Sequence, residues 1–279
     1  MQAFLEIFQY NFMQHALLAA LFTSISCGII GTYIVSKRIV FISGGITHTS
    51  FGGIGIGYFF GFNPLLGAAI FAVLSAVGIE FFSRKSEIRH DSMIGIFWSF
   101  GMALGIIFIF LTPGYAPNLM SYLFGSILTV AAADIWLMLA LTLIIVAVFA
   151  FMFRSLLYIA FDETFARTRN ISVDSIKYII MALVALAIVL SIRVIGIILV
   201  ISLMTIPQTT ANIFTRKFGK IMVFSSLIAL LGTLAGLFIS YQMDIPSGAS
   251  IIFSLVIIFV VAKGLNYLRM KSYQPEYKN

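Results

Sequence analysis

A chain of 279 residues that is 61% hydrophobic and only 10% charged carries more apolar surface than one soluble core of that length can bury. Soluble chains have roughly 25% charged residues and about half apolar ones. The net charge of +7 would suggest nucleic acid for a soluble domain, but this composition excludes one and makes lipid the solvent.

Taken in order, the chain begins with Glu6 early, no basic n-region and no small-residue cleavage motif, so no removable signal peptide is expected. Residues 1–12 read as a segment that could lie in the membrane interface. Apolar windows long enough to cross the bilayer then fall at 13–36, 39–61, 64–83, 92–112, 132–153, 174–192, 195–213, 219–241 and 247–265. The expected fold is an all-α polytopic membrane protein with about nine (eight to nine) transmembrane helices, forming one domain over residues 1–279. The apolar stretch 117–130 is too short to cross and is read as a short helix at the outer surface. Cys27, the single cysteine, lies in an apolar run. One cysteine builds neither a disulfide nor a thiolate cage within the chain, and it reads as a small buried hydrophobe.

The basic residues test this list of spans. Sixteen of the seventeen follow spans one, three, five, seven and nine, and Arg193 alone falls on the other side. The positive-inside rule makes the crowded side cytoplasmic, with the N-terminus outside and the C-terminus inside. Glycines four apart (Gly53, Gly57 and Gly61; Gly101 and Gly105; Gly232 and Gly236) mark close helix packing. The run Gly52–Gly57 lies inside a span and follows no strand, so it is no nucleotide fingerprint.

Polar residues within spans are costly and therefore informative. His48, in SGGITHTSFGG, lies roughly 14 Å into span two at 1.5 Å per residue. Imidazole is a good ligand for zinc, manganese and ferrous ions, and Thr47 and Ser50 place hydroxyls beside it. The alternative is a buried histidine bonded to a neighbouring helix. Asp134 and Asp244 lie at the outer ends of spans five and nine, as cation-attracting residues or as helix N-caps. Asp91 reads as a cap at the start of span four, and His90 as a solvated loop residue. The longest cytoplasmic loop, 154–173, mixes apolar side chains with Asp162, Glu163, Arg167 and Arg169. It reads as an amphipathic helix for a cytoplasmic partner or as a plain connector. Pro207 is expected to kink or end span seven, with Gln208, Thr209, Thr210 and Asn212 available to the freed backbone groups. No GxxxxGK[ST] phosphate loop, HExxH or Ser/His/Asp set is visible.

Together these segments resemble the membrane permeases of the zinc/manganese/iron family of ABC importers, over nearly the whole chain. ITHTSFGG around His48 looks like the family's Ser-His-Ser/Ala motif. Phe161–Ala166 resembles its Asp-Glu-x-x-Ala loop, Ile206–Ala211 its Ile-Pro-Ala-Ala-Thr-Ala signature, and DIPSGASI its final outer turn. One departure stands out: many members have aspartate four residues before the histidine, where this chain has Gly44.

The resemblance implies a cell-membrane permease that acts as a homodimer and is no enzyme itself. Asp162, Glu163 and Ala166 would dock a separate ABC ATPase dimer that binds ATP-Mg. An extracytoplasmic binding protein would deliver zinc or manganese, possibly iron, and the chain would hold no cofactor of its own. The alternatives are an ABC permease for a metal chelate or other small nutrient and, less in keeping with the residues, an ion-coupled secondary transporter. The second would need a mid-membrane carboxylate or paired broken helices.

Overall fold

A computed structural model describes residues 10–85, 88–113, 127 and 130–272. Its helices are α1 (Asn11–Ser36), α2 (Phe41–Phe60), α3 (Pro64–Lys85), α4 (His90–Leu111), α5 (Ala132–Phe151), α6 (Phe153–Phe161), α7 (Glu163–Thr168), α8 (Val173–Leu203), α9 (Ile206–Phe214), α10 (Phe218–Met243) and α11 (Ser247–Ser272). Most of the expected outer helix at 117–130 lies outside the described residues, as does most of segment 1–12.

Among the described residues, eight segments are long and apolar enough to cross a membrane: α1, α3, α4, α5, α10, α11, Val173–Ile192 and Val194–Phe214. In lipid only a helix or a closed barrel satisfies every backbone polar group internally. A ninth helix, α2, has 20 residues but a low mean hydropathy, because glycines and hydroxyl residues fill it. The bundle makes up for that by enclosing α2 between α3, α4 and α8. Its hydroxyls are spent on their own backbone: Thr47 Oγ1 donates to Ser43 O at 2.5 Å, Thr49 Oγ1 to Gly45 O at 2.5 Å and Ser50 Oγ to Thr47 O at 2.7 Å.

Glycine allows that enclosure. A Cβ at Gly53 would lie 2.1 Å from Gly67 O on α3, and Cβ atoms at Gly52 and Gly55 would lie 2.9 and 2.5 Å from the carbonyls of Gly101 and Gly105 on α4. Gly236 meets Ile251 of α11 in the same way, at 2.3 Å. Without a hydrophobic force between helices in lipid, such close backbone approach is a main source of association. Gly61 serves another purpose. It caps α2 in the left-handed region with φ 73° and has open space around it.

Three local readings change. Span seven is not one helix kinked at Pro207. The chain breaks at Gly196 (φ 77°, ψ 166°), a region open essentially to glycine alone, and again between Leu203 and Ile206. Pro207 sits in the first turn of α9, where no intrahelical partner awaits its missing N–H. Gln208 Nε2 donates to Leu203 O at 3.1 Å and to Cys27 O at 2.8 Å, thereby covering a carbonyl at the end of α8. Asp244 begins no helix: it ends α10 in the left-handed region with φ 52°. His90 is not a solvated loop residue but opens α4, with its ring Nε2 3.7 Å from Glu80.

Candidate functional site

His48 is half-buried in the α2–α4 seam, its ring stacked on that of Trp98 with centroids 4.3 Å apart and planes at 8°. The seam fixes the pair from both sides. Gly45 abuts Ile94 on one side of it, and Thr49 and Gly52 abut Gly101 on the other. A stacked imidazole presents its nitrogens edge-on while its face is covered. Gly44, one turn from His48 on the same face, has Ile201 and Trp98 within 3.6 Å of where its Cβ would stand. The walls around His48 therefore come from α2, α4 and the segment of α8 beyond Gly196.

Thr47 and Ser50, named with His48 from the sequence, are 0% and 1% exposed and bonded within α2; only the histidine is open. Asp134 is 5% exposed at the start of α5, its carboxylate accepting from Ala131 N at 3.4 Å. Asp244 is exposed at a distant turn. Among the described residues no three His, Cys, Asp or Glu side chains gather as a metal cage. Sequence reasoning missed Trp98, whose aromatic character within an apolar span gave no signal. It also missed His15 of α1, whose Nδ1 lies 3.1 Å from Val130 O.

At the highly charged end of the bundle, α6 and α7 form the loop predicted over 154–173. Asp162 caps α7, its carboxylate accepting from Phe165 N at 3.0 Å. Ala166 is completely buried, and a larger side chain there would have to displace the helix. Glu163 turns inward. Lys37 Nζ donates to its Oε1, and Lys177 Nζ lies 3.3 Å from the same oxygen. Burial opposes its ionisation, but the two lysines outweigh that and hold its carboxyl below the ordinary carboxylate value. Lys177 also reaches Glu80 Oε1 at 2.5 Å, and Glu80 is 3% exposed. Beside this network Asp174 pairs with Arg167 at 2.7 Å and Arg84 at 2.8 Å. These contacts bring the loops after spans one, three and five to one end of the bundle. The outward surface of the loop includes Asp162 together with its neighbours Phe161, Thr164, Phe165 and Arg167, all exposed.

The chain matches the ABC 3 transport family over residues 9–265. It is 41% identical over 261 residues to an uncharacterised membrane protein of Synechocystis, covering 94% of this chain and 93% of that one. It is 34% identical to the manganese transport system membrane protein MntC of Listeria monocytogenes, covering 93% and 92%. Among solved structures, PsaBC from Streptococcus pneumoniae in complex with Fab superposes with a TM-score of 0.83 at 28% identity, over 94% of this chain and 95% of that one. The resemblance to metal-importer permeases read from the sequence is thus the kinship the comparisons find: this chain is a membrane permease belonging to the ABC 3 transport family.

Proposed function

We propose that this permease imports a divalent transition-metal ion, manganese or zinc first and iron next, along a path past His48. The observation that carries the reading is the His48–Trp98 pair, a half-open imidazole held edge-on in a seam of backbone contacts, in a chain whose relatives include a manganese transport protein. His48 offers one nitrogen donor, and the indole face beside it adds the weak attraction of an aromatic quadrupole for a cation. With no carboxylate at Gly44, ligation is weak and release is fast. The ion is cargo, and the chain needs no cofactor to pass it.

ATP hydrolysis belongs to a separate ATPase pair bound through α6–α7. A second copy of the permease completes the path, and an extracytoplasmic binding protein delivers the ion. Asp162 and Ala166 shape the loop, while Phe161, Thr164, Phe165 and Arg167 form the surface an ATPase meets. The loop end of the bundle is cytoplasmic, which places the N-terminus outside and the C-terminus inside.

The test is uptake of radiolabelled Mn²⁺, Zn²⁺ and Fe²⁺ into proteoliposomes holding permease, ATPase and binding protein. ATP-dependent uptake of one ion, lost without the ATPase, is the expected result. His48→Ala should lower that uptake by tenfold or more with the amount of inserted protein unchanged. Undiminished uptake of every ion would reduce His48 to a packing residue. If wild type moves none of the three while ATP hydrolysis remains stimulated by the binding protein, the cargo is a chelate or another small solute.

A further inference from the structure

The ionic network at the loop end contains more than a docking helix needs in order to stay folded. Asp162 already caps α7, and Ala166 already seats it against the bundle. Glu163 adds an inward connection: its carboxylate is shared by Lys37, just past the end of α1, and Lys177, in the second turn of α8. Lys177 in turn bridges to Glu80, which is almost fully buried near the end of α3, and Glu80 faces His90 at the start of α4. A buried carboxylate that loses its cation is poorly compensated in low dielectric, so releasing Lys177 from Glu80 is costly even with His90 beside it. A displacement of α7 is therefore passed on to α3 rather than absorbed in the side chains. Beyond Glu80 the connection is backbone on backbone. Gly67 of α3 touches Gly53 of α2, and α2 carries His48.

We infer that Lys177 and Glu80 are positioning residues that couple the docking helix α7 to the helices around His48, so that ATPase movement is converted into movement of α3 and α2. This inference rests on the reading that α6–α7 docks an ATPase. Neither residue touches the cargo. Lys177 carries the link because it alone, among the described residues, bonds a carboxylate on each side, one on the loop and one in a span.

The experiment uses the reconstituted complex of permease, ATPase and binding protein with Mn²⁺ as the probe, or whichever of the three ions wild type transports. Three quantities are measured for each variant: ATPase retained on size exclusion, ATP hydrolysed, and ions taken up per ATP. Lys177→Met and Glu80→Gln should keep the ATPase bound and hydrolysing while uptake per ATP falls by about tenfold. Lys177→Arg, which keeps both contacts, should restore most of it.

A single replacement that leaves a buried charge unpaired can unfold the chain, so the double variant Glu80→Gln/Lys177→Met is the deciding one. It removes both charges, and it should elute as a folded complex and remain uncoupled. Wild-type uptake per ATP in the double variant overturns the relay and leaves the docking reading intact. Failure of the double variant to fold assigns the network to stability and overturns the relay as well. Failure of wild-type permease to retain the ATPase at all overturns the docking reading, and the relay with it.

Discussion

A Cβ placed on Gly101 would stand 2.6 Å from both the Cα and the carbonyl oxygen of Thr49, and one on Gly53 would stand 2.1 Å from Gly67 O. Neither neighbour is a flexible side chain that can swing away, so each substitution must push a pair of helices apart. Gly53→Leu and Gly101→Val are expected to destabilise by about 1–3 kcal/mol or more, read as a lower melting temperature by size exclusion after heating in detergent. Gly264→Ala, with nothing within 4 Å of the added atom, should leave that temperature unchanged and is the control.

Gly196→Ala tests a different mechanism at the same scale. The cost there comes from the backbone, because φ 77° with ψ 166° is reserved for glycine, and about 1–3 kcal/mol is expected. The four-residue spacing marked Gly53, Gly101 and Gly105 correctly as packing positions, but it also took in Gly61, which stands in open space. It gave no hint that Gly61 caps a helix or that Gly196 breaks one. Those roles depend on backbone angles that a spacing does not encode.

Helix α7 shows what was legible at the scale of one element. Asp-Glu-x-x-Ala pointed to a partner, yet in the fold Asp162 caps, Glu163 pairs inward and Ala166 is buried. Asp162 stays exposed beside Phe161, Thr164, Phe165 and Arg167. Glu80 was legible in principle, since a carboxylate inside an apolar run calls for an explanation. Its partner Lys177 is far away in sequence, however, and no local pattern joins the two.

A pH dependence follows for this element. The Glu163 carboxyl is held below its ordinary value, so its ion pairs contribute fully above the ordinary carboxylate range and are lost as pH falls through the lower, folded value. Thermal stability measured from about pH 6 to about pH 3 should therefore decline toward acid in wild type and decline less steeply in Glu163→Gln. Equal slopes in the two proteins would remove the assignment.

For the whole molecule, sixteen of the seventeen basic residues fall to one side of the span list, and the ion pairs bring three of those loops to one end of the bundle; the proposed orientation makes that end cytoplasmic. In a Cys27→Ala background, a membrane-impermeant maleimide added to intact cells should label Asp244→Cys, whereas Lys217→Cys should react only after permeabilisation. The reverse pattern would invert the topology. The architecture itself was readable, because apolar windows in lipid have a fixed length. The helix that hydropathy undervalues, α2, is the one the others surround. Its polar character is tolerable because protein rather than lipid surrounds it.

The two breaks flanking residues 197–203 change how one wall of the His48 site is attached. Ile201, which faces Gly44, belongs to a short helical stretch that begins after the non-helical angles of Gly196 and ends before those of Thr205 (φ −128°, ψ −52°). The opposite wall, with Trp98, is bolted to α2 through its glycines. The two walls of the seam are thus built differently: Trp98 stands on a helix held by backbone contacts at its glycines, and Ile201 stands on a short stretch with a non-helical residue at each edge.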